Sequence, residues 1–91
     1  MSFPSYLENA YRMLCSAYPH GVPEMEYLPL VAVLEEGMSL RNIGDVLARL
    51  MGQEPIEGYL DALGVKLSAT DPDVVRVREK LTKFGWDPED I

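Results

Sequence analysis

The clearest helix signal in this chain is the sequence TDPDVVRVREKLTKFGW, residues 70–86. Thr70 or Asp71 can cap the start of a helix, because a short polar side chain accepts from an unpaired backbone N–H. Pro72 suits the first turn, where its missing N–H would have no helical partner. Apolar residues at helical spacing predict a buried stripe, which consists of Val74, Val77, Leu81 and Phe84.

The end of this segment predicts a specific helix termination. Gly85 and Trp86 occupy the two positions that follow the last turn in a Schellman motif. In that motif the residue after the glycine folds back on the helix, so Trp86 should contact Leu81. Gly85 and Trp86 are therefore candidate structural residues, together with Pro29 of an earlier segment.

Four further apolar patterns precede this segment, each at helical spacing and each bounded by Gly, Pro or a capping residue. They comprise Leu7, Ala10, Tyr11, Leu14 and Tyr18; Tyr27, Leu30, Val31 and Leu34; Leu40, Ile43, Val46, Leu47 and Leu50; and Ile56, Tyr59, Leu60 and Leu63. No segment shows the alternation of apolar and polar residues that would predict a β-strand. The sequence predicts an all-α fold, a compact orthogonal or bundle-like packing of about five short helices with all five stripes buried. We expect residues 1–86 to form one domain and residues 87–91 an acidic C-terminal tail.

Capping and turn residues predict the ends of the first two of these helices. Ser2 or Ser5 can cap the first helix, and residues 19–23, with two prolines and a glycine, end it. Pro29 is placed in the first turn of the second helix. Gly37 is predicted to close that helix in the left-handed conformation.

The next two helices have similar signals. Ser39 is a strong N-cap for the third helix, which should end at Gly52. Gly44 inside this helix costs about 1 kcal/mol of helix propensity, which close packing of a neighbour can offset. The fourth helix is predicted over residues 55–64, and residues 65–69 are expected to form a loop.

Composition indicates an acidic globular protein. Of the 91 residues, 47% are hydrophobic and 25% are charged, and the formal net charge is −7. Cys15 is the only cysteine, which excludes an intrachain disulfide and fits a reducing compartment. Residues 1–12 lack the apolar run of a signal peptide, and the longest apolar run, residues 28–34, is too short to span a membrane. We therefore expect a cytoplasmic protein with no membrane partner.

Reactive side chains are few. Cys15 and His20 are the only thiol and the only imidazole, so the chain lacks the ligands of a zinc site. A Cys–His nucleophile pair is an alternative, but Cys15 lies beside an apolar stripe, where a free cysteine usually acts as a small hydrophobe. Glu57 and Asp61 lie on an exposed helical face, and no phosphate-binding loop occurs. We expect no catalytic site, no metal and no cofactor.

One basic stripe is present on the last helix, formed by Arg76, Lys80 and Lys83. Cations near a helix C-terminus interact favourably with the helix dipole, which is a sufficient structural explanation. The stripe also remains a candidate for docking an acidic partner or for weak nucleic-acid association. A helix-turn-helix built from the third and fourth helices would present Glu57 and Asp61 to the groove, which repels DNA.

Several apolar side chains lie outside the main stripes: Phe3, Met13, Met25, Val33, Met38 and Met51. Some should complete the core, and methionines at helix ends suit an adaptable contact surface. We therefore favour a non-enzymatic protein–protein interaction or regulatory module, with an unknown protein or a second copy as partner. The candidate surface consists of Met25, Met38, Arg76, Lys80 and Lys83. The alternatives are a small apolar ligand between helices and weak nucleic-acid association.

Two motifs point to a family. The first is YPHGVP, residues 18–23, followed by YLPLVAVL, residues 27–34; the second is DVVRVREKL, residues 73–81, ending in Gly85-Trp86. Together they resemble a family of small actinobacterial, notably mycobacterial, proteins of unknown function. The resemblance implies a compact domain of about five helices, consistent with the periodicity. It implies no known activity and no catalytic residues.

Overall fold

The computed structural model describes residues 5–88 and contains five helices in that range. They are α1 (Ser5–Ala17), α2 (Glu24–Leu34), α3 (Leu40–Met51), α4 (Pro55–Gly64) and α5 (Pro72–Lys83). Within the described range no strand occurs, which confirms the predicted all-α fold. The candidate cap Ser2, the apolar Phe3 and residues 89–91 lie outside the described residues. Each of the five helices is too short or too polar to cross a bilayer.

The centre of the core is the C-terminal half of α2. Leu30, Val31, Val33 and Leu34 are all fully buried, because α2 packs against α5 on one side and α4 on another. α1 packs against α3 and α5 and completes the enclosure. The other buried apolar residues are Leu7, Ala10, Leu14, Ala17, Tyr18, Met38, Ile43, Val46, Leu47, Ala62, Val74, Val77, Leu81 and Trp86.

The start of α2 differs from the prediction. The helix begins at Glu24, so Pro29 lies in its second turn rather than its first. Proline has no N–H, and the carbonyl of Met25 therefore lacks its usual helical donor. Met25 is 87% exposed, so water can hydrogen-bond to that carbonyl. The proline is tolerated because the bond it removes lies at the solvent-facing end of the helix.

The end of α2 also differs from the prediction. Gly37 is not left-handed: the glycines with positive φ among the described residues are Gly21, Gly52 and Gly85. A Cβ atom on Gly37 would lie 2.7 Å from the Cα of Pro88. Position 37 therefore requires glycine for space, because the segment that follows α5 packs against it, and not for backbone conformation.

The predicted ends of α3 and the predicted start of α5 are confirmed. The Ser39 hydroxyl accepts from the backbone N–H of Asn42 at 3.2 Å, and Gly52 closes α3 with a φ of 70°. The Asp71 carboxylate accepts from the backbone N–H of Asp73 at 2.9 Å, which makes Asp71 the cap of α5. Residues 65–69 form a loop, as expected.

The Schellman motif after α5 is also confirmed. The N–H of Trp86 donates to the carbonyl of Leu81 at 3.0 Å, and the N–H of Gly85 donates to the carbonyl of Thr82 at 3.1 Å. Gly85 has a φ of 103°, a backbone conformation that is unfavourable for residues with a side chain. Trp86 is buried, whereas Phe84, predicted to be buried, is 46% exposed. The backward turn puts Trp86 in the core, and Phe84 lies on the surface.

α3 and α4 approach each other closely at two glycines. A Cβ atom on Gly58 would lie 2.9 Å from the Cα of Gly44. The expected close neighbour of Gly44 is thus the backbone of α4. Ala62, one turn after Gly58, is 1% exposed and belongs to the same buried side of α4. Small residues therefore form the side of α4 that contacts the rest of the protein.

Candidate interaction surface

The apolar stripe of α4 faces solvent. Ile56 is 57% exposed, Leu60 56% and Leu63 59%, and Tyr59 is also exposed. The prediction that this stripe is buried was wrong. A helix in contact with one neighbouring layer buries one side, and in α4 the side with small residues is buried because it allows the two backbones to approach.

The exposed stripe continues onto α2 and onto the loop after α4. Leu28, Leu60 and Leu67 line a groove of about 350 Å³, and Leu28 and Leu67 are both exposed. The groove opens to solvent, so a small apolar ligand seated in it would keep one side in water. We call the set Leu28, Ile56, Tyr59, Leu60, Leu63 and Leu67 the α4 surface.

The α4 surface is comparable in size to the largest apolar patch on a typical soluble monomer, about 300–600 Å². Its six members are between 36% and 59% exposed, which corresponds to an exposed area on the order of 500 Å². Patches of that size often mark a site of interaction with another molecule. A second groove, of about 410 Å³, borders Ile56 and Tyr59 on the side of α3.

Acidic side chains predominate around the α4 surface. The carboxylates on α4 or in the adjoining grooves belong to Glu24, Asp45, Glu57 and Asp61, and the cations that line these grooves belong to Arg41 and Lys66. The border therefore carries more negative than positive charge, consistent with the net charge of −7. A cationic partner is attracted by this border and an anionic partner is repelled.

Tyr27 connects α2 to α4 beside this surface. Its hydroxyl donates to a carboxylate oxygen of Asp61 at 2.6 Å, and the side-chain amide of Gln53 donates to the same hydroxyl at 3.4 Å. Burial, with the adjacent Asp61 carboxylate, raises the pKa of Tyr27 to about 12. Asp61 therefore accepts a hydrogen bond from α2 at the edge of the α4 surface.

The raised pKa of Tyr27 predicts a loss of stability in alkali. The folded-state pKa is about 12 and the ordinary value is 10.0. The protonated hydroxyl therefore contributes its full stabilisation below pH 10, and this contribution is lost as the pH rises through 12. We expect the free energy of unfolding of the wild type to fall more steeply than that of Tyr27→Phe between these two pH values. Denaturant unfolding at several pH values measures both, and identical pH dependence would contradict the prediction.

The cations of the predicted basic stripe on α5 have different environments. Arg76 pairs with Asp73 on the same helix at 2.9 Å, and both side chains are exposed. The ammonium of Lys80 lies 3.5 Å from a carboxylate oxygen of Glu26 on α2. Lys83 is exposed. Lys80 therefore links two helices, whereas Arg76 is paired within α5 and Lys83 is exposed.

The contact of Lys80 belongs to a cluster around Tyr18. The Tyr18 hydroxyl donates to Glu26 at 3.0 Å, and the Lys80 ammonium lies 4.1 Å from the centroid of the Tyr18 ring. Burial and the Glu26 carboxylate together raise the pKa of Tyr18. This cluster joins the end of α1, the start of α2 and the last turns of α5, which indicates a structural role.

A second link holds α5 to the turn after α2. The Arg78 guanidinium donates through two nitrogens to the Glu36 carboxylate, at 3.0 Å and 2.5 Å, and also to the carbonyl of Ala69 at 3.1 Å. The hydrogen bonds with Glu36 raise the pKa of Arg78. Arg78 therefore also has a structural contact, and the sequence offered no signal for it.

The methionines divide between surface and core. Met25 is 87% exposed, and Met51 is also exposed and lines another pocket together with Tyr27 and Leu28. Met38 is 7% exposed. Its placement on the candidate interaction surface was therefore wrong, because the turn after α2 directs it into the core. Met13 packs against the core and Val33 lies within it.

Cys15 and His20 lie in different environments. Cys15 is half-buried on α1, where its hydrogen bond with Tyr11 raises the pKa of the Tyr11 hydroxyl. His20 is exposed in the loop after α1. Nowhere between residues 5 and 88 do three or more His, Cys, Asp or Glu side chains form a group that could hold a metal ion.

One comparison with known proteins gave a match. A family model described as "Protein of unknown function (DUF3349)" matches residues 5–90. The matched range contains all five helices, the α4 surface and Trp86. No curated protein and no solved structure matches the chain.

Proposed function

The chain belongs to the DUF3349 family of proteins of unknown function, and from that premise we propose that it is a non-enzymatic protein interaction module that binds its partner through the α4 surface. One observation carries the proposal. Ile56, Tyr59, Leu60 and Leu63 form a continuous apolar stripe on a helix whose opposite side already packs against α3. Within residues 5–88 nothing covers this stripe, and a partner that packs on it would remove it from water.

The size of the surface supports a protein partner. Standard interfaces bury about 800 Å² on each partner, and the residues of the α4 surface expose an area on the order of 500 Å², with backbone atoms included. The carboxylates and cations around it provide the polar rim that such interfaces usually have. The α4 surface therefore approaches the dimensions of a specific interface when its rim is included.

The polar groups beside the surface support binding rather than catalysis. Asp61 accepts from Tyr27, and the Glu57 carboxylate accepts from the backbone N–H of Glu54 at the start of α4. Both carboxylates are exposed. Paired catalytic carboxylates are held across a cleft around the substrate, whereas these two groups accept hydrogen bonds from the protein and face water.

The double variant Leu60→Ser/Leu63→Ser tests the proposal. Because more than half of each residue is exposed, the variant should remain folded and helical and lose at most about 1 kcal/mol of stability. The amount of partner protein that it captures from a lysate of the native host, measured by quantitative mass spectrometry, should be at least about tenfold lower than for the wild type. The matched control is Phe84→Ser, which removes an exposed apolar side chain from α5, outside the α4 surface.

The outcome separates the proposal from non-specific adhesion. The proposal requires a protein that wild type and Phe84→Ser retain and that the double variant loses. It is wrong if no protein is retained by the wild type, or if the double variant retains the same proteins in the same amounts.

A further inference from the structure

We propose that the occupant of the α4 surface is a cationic amphipathic helix of another protein, an inference that rests on the proposed function and adds the chemistry of the partner. The helix would present apolar residues at a spacing of three and four, with lysine or arginine on the side of that stripe that meets Glu57 and Asp61. Shape and charge support this partner independently of each other.

The shape of the surface fits a helix. From Ile56 to Leu63 the stripe extends about 10 Å, at about 1.5 Å per residue, which matches two turns of a partner helix. It forms a ridge with a groove on each side, one toward α2 at Leu28 and Leu67 and one toward α3 at Arg41. Ridges that pack into grooves are the usual geometry of two helices in contact.

The charge around the surface fits a cation. Asp61 lies in the groove with Leu28 and Leu60, and its bond to Tyr27 holds it there. Glu57, one turn earlier, is oriented by its bond to the backbone of Glu54. Two hydrogen-bonded carboxylates beside an apolar ridge can pair with cations that flank an apolar stripe.

The same charges disfavour a second copy of this chain. A two-fold pairing of α4 with itself would bring Glu57 and Asp61 of both copies to one interface, between two molecules that each carry a net charge of −7. Like charges opposed across an interface weaken association. Self-association is therefore an outcome of the test and not the occupant that we propose.

Three synthetic peptides of about 14 residues provide the test. The first has leucines at helical spacing flanked by lysines, the second has the same leucines flanked by glutamates, and the third has the composition of the first in scrambled order. Each is titrated into the isotope-labelled full chain, and backbone amide shifts are followed by NMR. We expect the Leu–Lys peptide to shift amides of α4 and of Leu28 and Leu67. It should bind at least about tenfold more tightly than the other two, and more weakly as salt rises.

Variants separate charge from apolar contact. Glu57→Gln/Asp61→Asn removes two charges and keeps an acceptor for Tyr27, so it should bind the Leu–Lys peptide about tenfold less tightly. Glu35→Gln/Glu79→Gln changes the net charge equally at two exposed positions outside the α4 surface and should bind normally. Leu60→Ser/Leu63→Ser should lose binding.

The results distinguish failure of this inference from failure of the proposed function. Equal binding of the Leu–Lys and Leu–Glu peptides, or shifts that avoid α4, would overturn the cationic helix. A dimer of the wild type in light scattering that is absent in Leu60→Ser/Leu63→Ser would also overturn it. Such a dimer would still support a protein partner at α4. The lysate capture decides the proposed function separately.

Discussion

Replacement of Trp86 by alanine should lower the free energy of unfolding by about 3–5 kcal/mol, the cost of removing a large buried aromatic side chain. Trp86 is 5% exposed although it lies outside the last helix. Its indole N–H is buried without a hydrogen-bond partner among the described residues, so its stabilisation comes from packing. A chain of 91 residues has a total stability of about 5–14 kcal/mol. This single substitution therefore removes a large share of it.

The measurement requires far-UV circular dichroism during denaturant unfolding, because Trp86 is the only tryptophan and the variant has no indole fluorescence. Phe84→Ala, two residues earlier and 46% exposed, is the matched control and should cost less than about 1 kcal/mol. Trp86→Phe should lie between the two, since it keeps a ring and removes the unpaired N–H. A change below about 1 kcal/mol for Trp86→Ala would show that Trp86 does not contribute to the core.

Gly58→Leu should lower the free energy of unfolding by about 2–3 kcal/mol, despite the higher helix propensity of leucine. Even a Cβ atom at this position would lie 2.9 Å from the Cα of Gly44. The contacting atom belongs to the backbone of α3, which cannot move aside as a flexible side chain can. The two helices must then separate, which also exposes the buried face of Ala62.

Gly64→Leu is the control for the second prediction. It makes the same change on the same helix, but a Cβ atom on Gly64 meets nothing within 4 Å. Its unfolding midpoint should match that of the wild type or exceed it slightly. Equal destabilisation by the two variants would mean that loss of glycine, and not the approach of α3 to α4, causes the effect.

Local signals were sufficient to predict most helix ends. Ser39, Gly52 and Gly85 act through backbone groups only a few residues away, so their roles follow from spacing alone. Pro29 was misplaced because its cost depends on whether water reaches the carbonyl of Met25. That is a property of the folded surface and is not present in the local sequence.

The orientation of α4 could not be predicted from periodicity. Periodicity selects the stripe with the largest apolar residues, which runs from Ile56 to Leu63, whereas the folded helix buries the side that contains Gly58 and Ala62. The choice depends on Gly44, in a different helix, because only there can two backbones meet. The sequence signal for this orientation was the presence of one glycine in each of two neighbouring helices, Gly44 and Gly58.

The contacts that border the site were beyond sequence reasoning for a related reason. Tyr27 and Asp61 are 34 positions apart, and Arg78 and Glu36 are 42 positions apart. Acidic and basic residues are frequent in this chain, and nothing in their spacing selects these partners. Long-range pairs of this kind follow from the packing of the helices and do not determine it.

The approach of Pro88 to Gly37 has a practical consequence for protein engineering. An affinity tag or a fluorescent protein joined directly after Pro88 would begin against the turn that follows α2, and would compete with that turn for space. Such a fusion needs a flexible spacer before its first folded residue. Mutational libraries should likewise treat position 37 as coupled to the C-terminal segment, since every side chain introduced there displaces it.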